Sequence, residues 1–261
     1  MYKKVKKVKK VLDQKFQSGE ISNKQAKFLI DLFAEIYDDT DVVTATNYAD
    51  QVTLTNAALW KKIVPANASK DINFVYIEQE VLVAQLLIQY HLHSDTFLHK
   101  VLFDQSYEEH LATFFEHLPE SFSRDHQKGT YLFWGLPKGG KHRLRLWREG
   151  NRLASTDGSF SVELTPEAIA AALASKELVP CVLLTFIVLC FYYGLKCLGG
   201  LGQINYLPRL HTAFITMQKA LGLTENITAC EKVETKHLGG EVTKAFLGGP
   251  NGELVPATSL D

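Results

Sequence analysis

Arg143, Arg145 and Trp147 alternate with Leu144 and Leu146 in a β-favouring run. Successive side chains on a strand point to opposite faces, so one face would carry two guanidinium groups beside an indole and the other would carry leucines. Such a face can grip a phosphate or carboxylate through forked, charge-assisted hydrogen bonds. The same pattern also suits the solvent side of an antiparallel sheet, with the indole stacked on an arginine.

A second cluster of chemistry-bearing residues follows an apolar run. Gly199, Gly200 and Gly202 precede Gln203, Asn205 and Tyr206. Consecutive glycines let backbone amides approach a ligand, and Gln203 and Tyr206 would fix its orientation by hydrogen bonds. A helix opening at Pro208 would aim its positive end nearby. A single glycine is enough to end a helix, so the stretch reads equally as a ligand loop or as a turn of the chain. Gly200-Leu-Gly202 is not a dinucleotide fingerprint, because Asn205 stands where the third glycine belongs and the preceding run reads as helix. Lys138-Gly-Gly-Lys141 lacks the spacing of a phosphate-binding loop and reads as a hairpin turn with solvated lysines. The sequence points to no particular cofactor.

Glu78 and Glu80 sit in a largely apolar stretch, where an isolated carboxylate is costly to bury. At least one is expected to be paired, exposed or functional, and Glu80 is the candidate catalytic group. On a helix, residues two apart diverge, so the two acids would not act as a pair. His91 and His93 cannot share one helical face, and the other histidines form no His-Glu-x-x-His pattern. No metal site is therefore expected. Cys181, Cys190, Cys197 and Cys230 contain no Cys-x-x-Cys pair and three lie in an apolar segment. They read as buried thiols whose surroundings raise their pKa, and no Gly-x-Ser-x-Gly elbow offers another nucleophile.

The elements that would position these groups can be read from periodicity and punctuation. Residues 1–17 form a basic helix, with paired lysines between Val5, Val8 and Val11 and no apolar run behind them, unlike a secretory signal. Ser22 and Gln25 match a capping box, followed by an apolar stripe of Ala26, Leu29, Ile30, Phe33 and Tyr37. Leu54 to Val64 is a short helix, and Phe74 to His93 a long one, with a strand at Ile72 to Ile77 before it left open. Helices continue through Phe97–Phe103 and Tyr107–His117. Residues 130–164 then form a three- or four-stranded antiparallel meander, and Thr165-Pro166-Glu167 caps a helix through Ala174.

Leu178 to Leu195 contains no charge over eighteen residues, which brings a membrane span into question. Pro180 shortens the helical part and aromatic residues cluster at one end, so a buried helix over about residues 181–197 is expected instead. The glycine-rich stretch from Gly239 suits a hairpin.

The fold class that results is α+β, predominantly helical, with a small antiparallel sheet packed around the apolar helix. The division expected is a basic appendage over residues 1–17 and one globular domain over 18–261. With 46% apolar and 22% charged residues, the chain is neither disordered nor a multi-span membrane protein. A net charge of -1 gives no overall attraction to nucleic acid, and the cysteine usage fits a reducing cytoplasm.

Two functional expectations follow. In the first, the chain is a metal-independent enzyme acting on a small polar or anionic metabolite, by group transfer. Its cavity would combine Glu80 with Arg143, Arg145, Gly199, Gly200, Gln203 and Tyr206. In the second, the chain is a non-catalytic binding or scaffold protein that uses the basic N-terminal helix and the exposed sheet face. Convergence of those residues on a polar cavity favours the first, and a convex surface favours the second.

Overall fold

The computed structural model describes residues 2–64, 75–140, 142–223, 227–237, 246–248 and 253–256. Lys141 and most of the glycine-rich stretch from Gly239 lie outside them. The chain divides into two compact units, residues 1–78 with 245–261, and residues 79–244.

The first unit opens with α1 (Tyr2–Gln17) and α2 (Asn23–Leu32), which continues as a π-wound turn over Phe33–Tyr37. Ser22 and Gln25 form the reciprocal capping box that their spacing predicts. The buried stripe runs through Ala26 and Ile36, with Leu29 and Phe33 half-buried between them, whereas Ile30 falls off the stripe and is exposed. Lys9 pairs with Asp38 and lies over the Phe33 ring, and Leu12 is buried. Next come α3 (Thr40–Thr44) and α4 (Tyr48–Ile63). The Asn47 side chain accepts from the Asp50 amide at 2.9 Å, which starts α4 six residues before the apolar periodicity becomes evident at Leu54.

The second unit begins with α5 (Gln79–Leu86), extended by a π-wound turn over Leu87–His91. Residues 75–78 have no regular structure, so the expected helix starts five residues later than Phe74. The β-branched Val75 and Ile77 are exposed there, and neither gains from helical χ1 restriction. After α6 (Phe97–Phe103) and α7 (Ser106–Phe115) the chain enters β1 (Phe133–Gly135), β2 (Leu144–Glu149), β3 (Arg152–Ser155) and β4 (Ser161–Glu163). Thr165 caps α8 (Pro166–Ala174), with its hydroxyl accepting from the Ala168 amide at 3.2 Å.

The buried helix expected over about residues 181–197 is present but shorter, ending at Tyr192, and a strand precedes it. Leu178–Pro180 is a fifth strand, β5, antiparallel to β1 with Trp134 opposite Val179. The helix proper is α9 (Val182–Phe186), continued in π winding over Ile187–Tyr192. Pro180 has no amide hydrogen to give a helix and closes the strand. The far end is closed by Gly194 in the left-handed region at φ 72°, where its amide bonds the Cys190 carbonyl at 3.0 Å. Among the described residues no helix is long and apolar enough to cross a membrane.

The sheet order is β4-β3-β2-β1-β5, antiparallel throughout. Leu183, Ile187 and Val188 on α9 and its extension are fully buried, in one core with Phe133 and Leu146 of the sheet. The architecture is thus α+β, mostly helical, with a small antiparallel sheet. The long helix α10 (Leu201–Ala220) starts seven residues before Pro208, which lies inside it, and α11 (Ile227–Glu231) follows. The last pair, β6 (Phe246–Gly248) and β7 (Leu254–Pro256), is an antiparallel hairpin in the glycine-rich stretch, grouped with the first unit.

His91, at the end of the α5 extension, is 2% exposed, with Nδ1 3.1 Å from the Thr96 hydroxyl and Nε2 2.8 Å from that of Tyr193. Burial holds its pKa below the ordinary histidine value. The unfolded chain therefore binds a proton at a pH where the folded one does not. Stability is complete above the unfolded value of about 6.5 and is lost as pH falls through the lower folded value. The melting temperature of the wild type should fall from pH 7 to pH 5 more steeply than that of His91→Gln. Equal slopes in the two proteins would refute a buried neutral imidazole.

Candidate functional site

A cavity of about 450 Å³ lies wholly within the second unit, between the sheet, α9 and the start of α10. Its size falls in the range of ordinary small-molecule sites. The β1–β2 register explains one wall. Trp134 stands opposite Arg145, and Gly135 opposite Leu144, so Trp134, Leu136 and Arg143 share a sheet face with Val179 of β5. The Arg143 guanidinium lies 4.1 Å from the Trp134 ring centroid, a cation–π contact that holds an exposed arginine over the cavity.

The opposite wall comes from Val182, Thr185 and Phe186 of α9, and from residues 195–198. Gln203 and Tyr206 reach the same space from the first turns of α10, with the Tyr206 ring 5.9 Å from that of Phe186. Burial raises the Tyr206 hydroxyl above the usual phenol range, so it is a neutral donor at physiological pH. Glu80 lines the cavity as an exposed carboxylate in the first turn of α5, where the helix dipole favours negative charge.

Four of the sequence-predicted residues, Glu80, Arg143, Gln203 and Tyr206, therefore border one cavity. The glycines do not work as a loop. Gly202, Gln203, Asn205 and Tyr206 are helical, and Gly200 is the N-cap of α10 in extended backbone at φ −75°. Gly199 matters for space: a Cβ there would stand 2.0 Å from Gln203 Oε1. Its absence lets the Gln203 side chain fold back and donate to the Cys197 carbonyl at 3.3 Å. The Gly199 amide is already engaged with the His237 carbonyl at 3.4 Å.

Arg145 turns elsewhere, donating from Nε to the Gly129 carbonyl at 2.7 Å. It borders a second, more open cavity of about 930 Å³, which Arg143 and Trp134 also line. Gly129 is fixed there twice over, by φ 63° and by a Cβ that would meet the Ser121 carbonyl at 2.0 Å. On this cavity Ser123 donates to Asp125 at 2.7 Å and lies 3.0 Å from His117 Nδ1. The serine bond keeps the Asp125 carboxyl below the usual range. Ligand atoms of His117, Asp125 and His126 fall within 4.8 Å of one another, the group among the described residues that could hold a metal ion, and all three are exposed. The separation of two histidines by nine residues in a loop gives no sequence signal for this trio.

The residue missed by sequence reasoning is Cys197. It lines the first cavity, and its Sγ lies 2.9 Å from Cys190 Sγ. The hydrogen bond between the two thiols brings Cys197 down to about 7 while Cys190 itself is raised. Apolar burial does raise Cys181, to about 11, and Cys230, as expected for thiols in such surroundings. Cys197 follows Cys190 by seven positions, and the reversal at Gly194 brings them together. No family model, curated protein or solved structure matches the chain, so function must be argued from this cavity.

Proposed function

We propose that the chain is a metal-independent enzyme that binds a small anionic metabolite in the 450 Å³ cavity and acts on it by group transfer. The observation that carries this reading is the convergence of Glu80, Arg143, Gln203 and Tyr206 from the starts of two helices and the residue before a strand. Arg143 supplies the forked cation for a phosphate or carboxylate, already oriented by Trp134. Gln203 and Tyr206 supply an amide and a neutral phenol that fix the ligand's orientation. Glu80 is the group for proton transfer at the cavity mouth. The lining offers one carboxylate and one thiol, short of the three protein ligands of an ordinary catalytic metal site.

A thermal-shift screen of phosphorylated and carboxylated metabolites tests the reading. A binding anion should raise the wild-type melting temperature, and Arg143→Ala should weaken its affinity by about tenfold or more, equivalent to about 1.4 kcal/mol. Glu80→Gln should keep binding and abolish turnover. Turnover that survives in Glu80→Gln removes its catalytic role, and binding without any turnover in the wild type favours a non-catalytic binding protein. Unchanged affinity in both Arg143→Ala and Gln203→Ala would overturn the site.

A further inference from the structure

We propose that Cys190 and Cys197 form a reversible dithiol–disulfide couple that exchanges with small disulfides of the glutathione type. The proposal goes beyond anion binding and stands without it. The two sulfurs are 2.9 Å apart, and a disulfide needs them at about 2.05 Å, so less than 1 Å of relative movement closes the bond. A shared metal fits less well. A tetrahedral ion at about 2.3 Å from each thiolate would hold the sulfurs about 3.8 Å apart.

The chain is built to keep the pair together. Gly194, in the left-handed region, reverses the backbone after the α9 extension, and the Leu195 amide bonds back to the Leu189 carbonyl at 2.8 Å. Beyond the turn, Lys196 pairs with Glu234 at 2.7 Å and the Cys197 carbonyl accepts from Gln203. The segment that presents Cys197 is thus fixed on both sides of the thiol.

The two cysteines also differ in the way exchange requires. Cys197 is half-buried on the cavity wall, where a small disulfide can reach it, and Cys190 is 1% exposed behind it. Cys197 is the sulfur that a small disulfide can reach, which makes it the attacking one and Cys190 the resolving one, and the neighbouring thiol favours its thiolate. Cys197 thiolate attacks one sulfur of R–S–S–R, forming a mixed disulfide and releasing RS⁻. Cys190 then loses its proton and attacks the Cys197 sulfur, which breaks the mixed disulfide and releases the second RS⁻. The two thiol protons end on two RSH molecules. Two protein thiols are oxidised and one small disulfide is reduced. Closure ties residues 195–198, a wall of the cavity, to the end of the α9 extension.

The test is to poise the full chain in buffers of oxidised and reduced glutathione, quench with acid, alkylate without reduction and digest with trypsin. Lys196 lies between the two cysteines, so the disulfide appears as a covalent link between the peptide 177–196 and the one that begins at Cys197. Under oxidising buffer the protein should lose two of its four alkylatable thiols, and dithiothreitol should restore both. Cys190→Ser should abolish the link and trap glutathione on Cys197, whereas Cys197→Ser should abolish both. Cys181→Ser and Cys230→Ser should leave the link intact. Circular dichroism of each variant checks that it has folded. If both thiols of the folded wild type stay alkylatable across the whole series, or if the link survives in Cys190→Ser through Cys181, the proposal is wrong.

Discussion

Replacing Phe191 with alanine is expected to lower the unfolding free energy by about 3 to 5 kcal/mol, the usual range for truncating a buried phenylalanine. Phe191 is 1% exposed on the α9 extension, and its ring packs 5.3 Å from that of Phe214 and 5.2 Å from His211, both on α10. The lost ring removes apolar contact with α10 and leaves a void that neither neighbour can fill without moving a helix. Phe191→Leu keeps most of the volume and should cost less than half as much. Leu198→Ala, at a residue 61% exposed, should change stability by less than about 0.5 kcal/mol. Urea unfolding of the three variants measures these differences through the midpoint at constant slope. A loss below about 1 kcal/mol for Phe191→Ala would show that the helix is not the core of the second unit.

Much of the local structure was legible because it depends on neighbours in sequence. The Ser22–Gln25 box and the Thr165 cap need only side chains and amides three residues apart. The meander of β1 to β4 announced itself by alternation and by turn residues such as Gly150 and Gly158, both at positive φ. The apolar run at 178–195 was ambiguous because periodicity cannot separate a buried strand from a buried helix when every position is apolar. Whether Leu178–Pro180 is a strand depends on β1 lying beside it, and that is a long-range fact. Pro208 misled in the same way: proline favours the first turn of a helix, yet here the helix begins upstream and carries it inside.

The candidate site was legible in its chemistry more than in its geometry. Arg143, Gln203 and Tyr206 stood out by type, and all three border the cavity. Alternation along β2 put Arg143 and Arg145 on one face, but the alternation does not say what covers that face. Trp147 is 5% exposed beneath Arg124, so this is no open solvent side, and Arg145 is drawn off to the Gly129 carbonyl. Cys197 was invisible because its character comes from Cys190, and the reversal at Gly194 that joins them leaves no periodic trace.

Arg148 illustrates the same alternation carried one step further, and its loss is expected to cost about 1 to 3 kcal/mol. By period two it belongs to the leucine face of β2, and it is 4% exposed. Its guanidinium donates to the Phe103 carbonyl at 3.1 Å and the Asp104 carbonyl at 3.4 Å, at the C-terminal end of α6, and to Gly150 at 3.1 Å. Glu108 lies 3.6 Å away and is partly exposed, so water screens that pair and its contribution is small. The main effect is on the Phe103 carbonyl, the last of α6, which has no partner within the helix and sits at the negative end of its dipole. Arg148→Met keeps the aliphatic stem and removes every donor, so the Phe103 carbonyl loses its partner at about 1 to 3 kcal/mol, whereas the Asp104 carbonyl still accepts from the Tyr107 amide at 3.2 Å. Arg148→Lys keeps the charge without the planar fork, so it should fall between wild type and methionine. Guanidinium unfolding of the two variants reads the order directly. Equal stability of Arg148→Met and wild type, to within about 0.5 kcal/mol, would mean that the α6 end is satisfied without this residue.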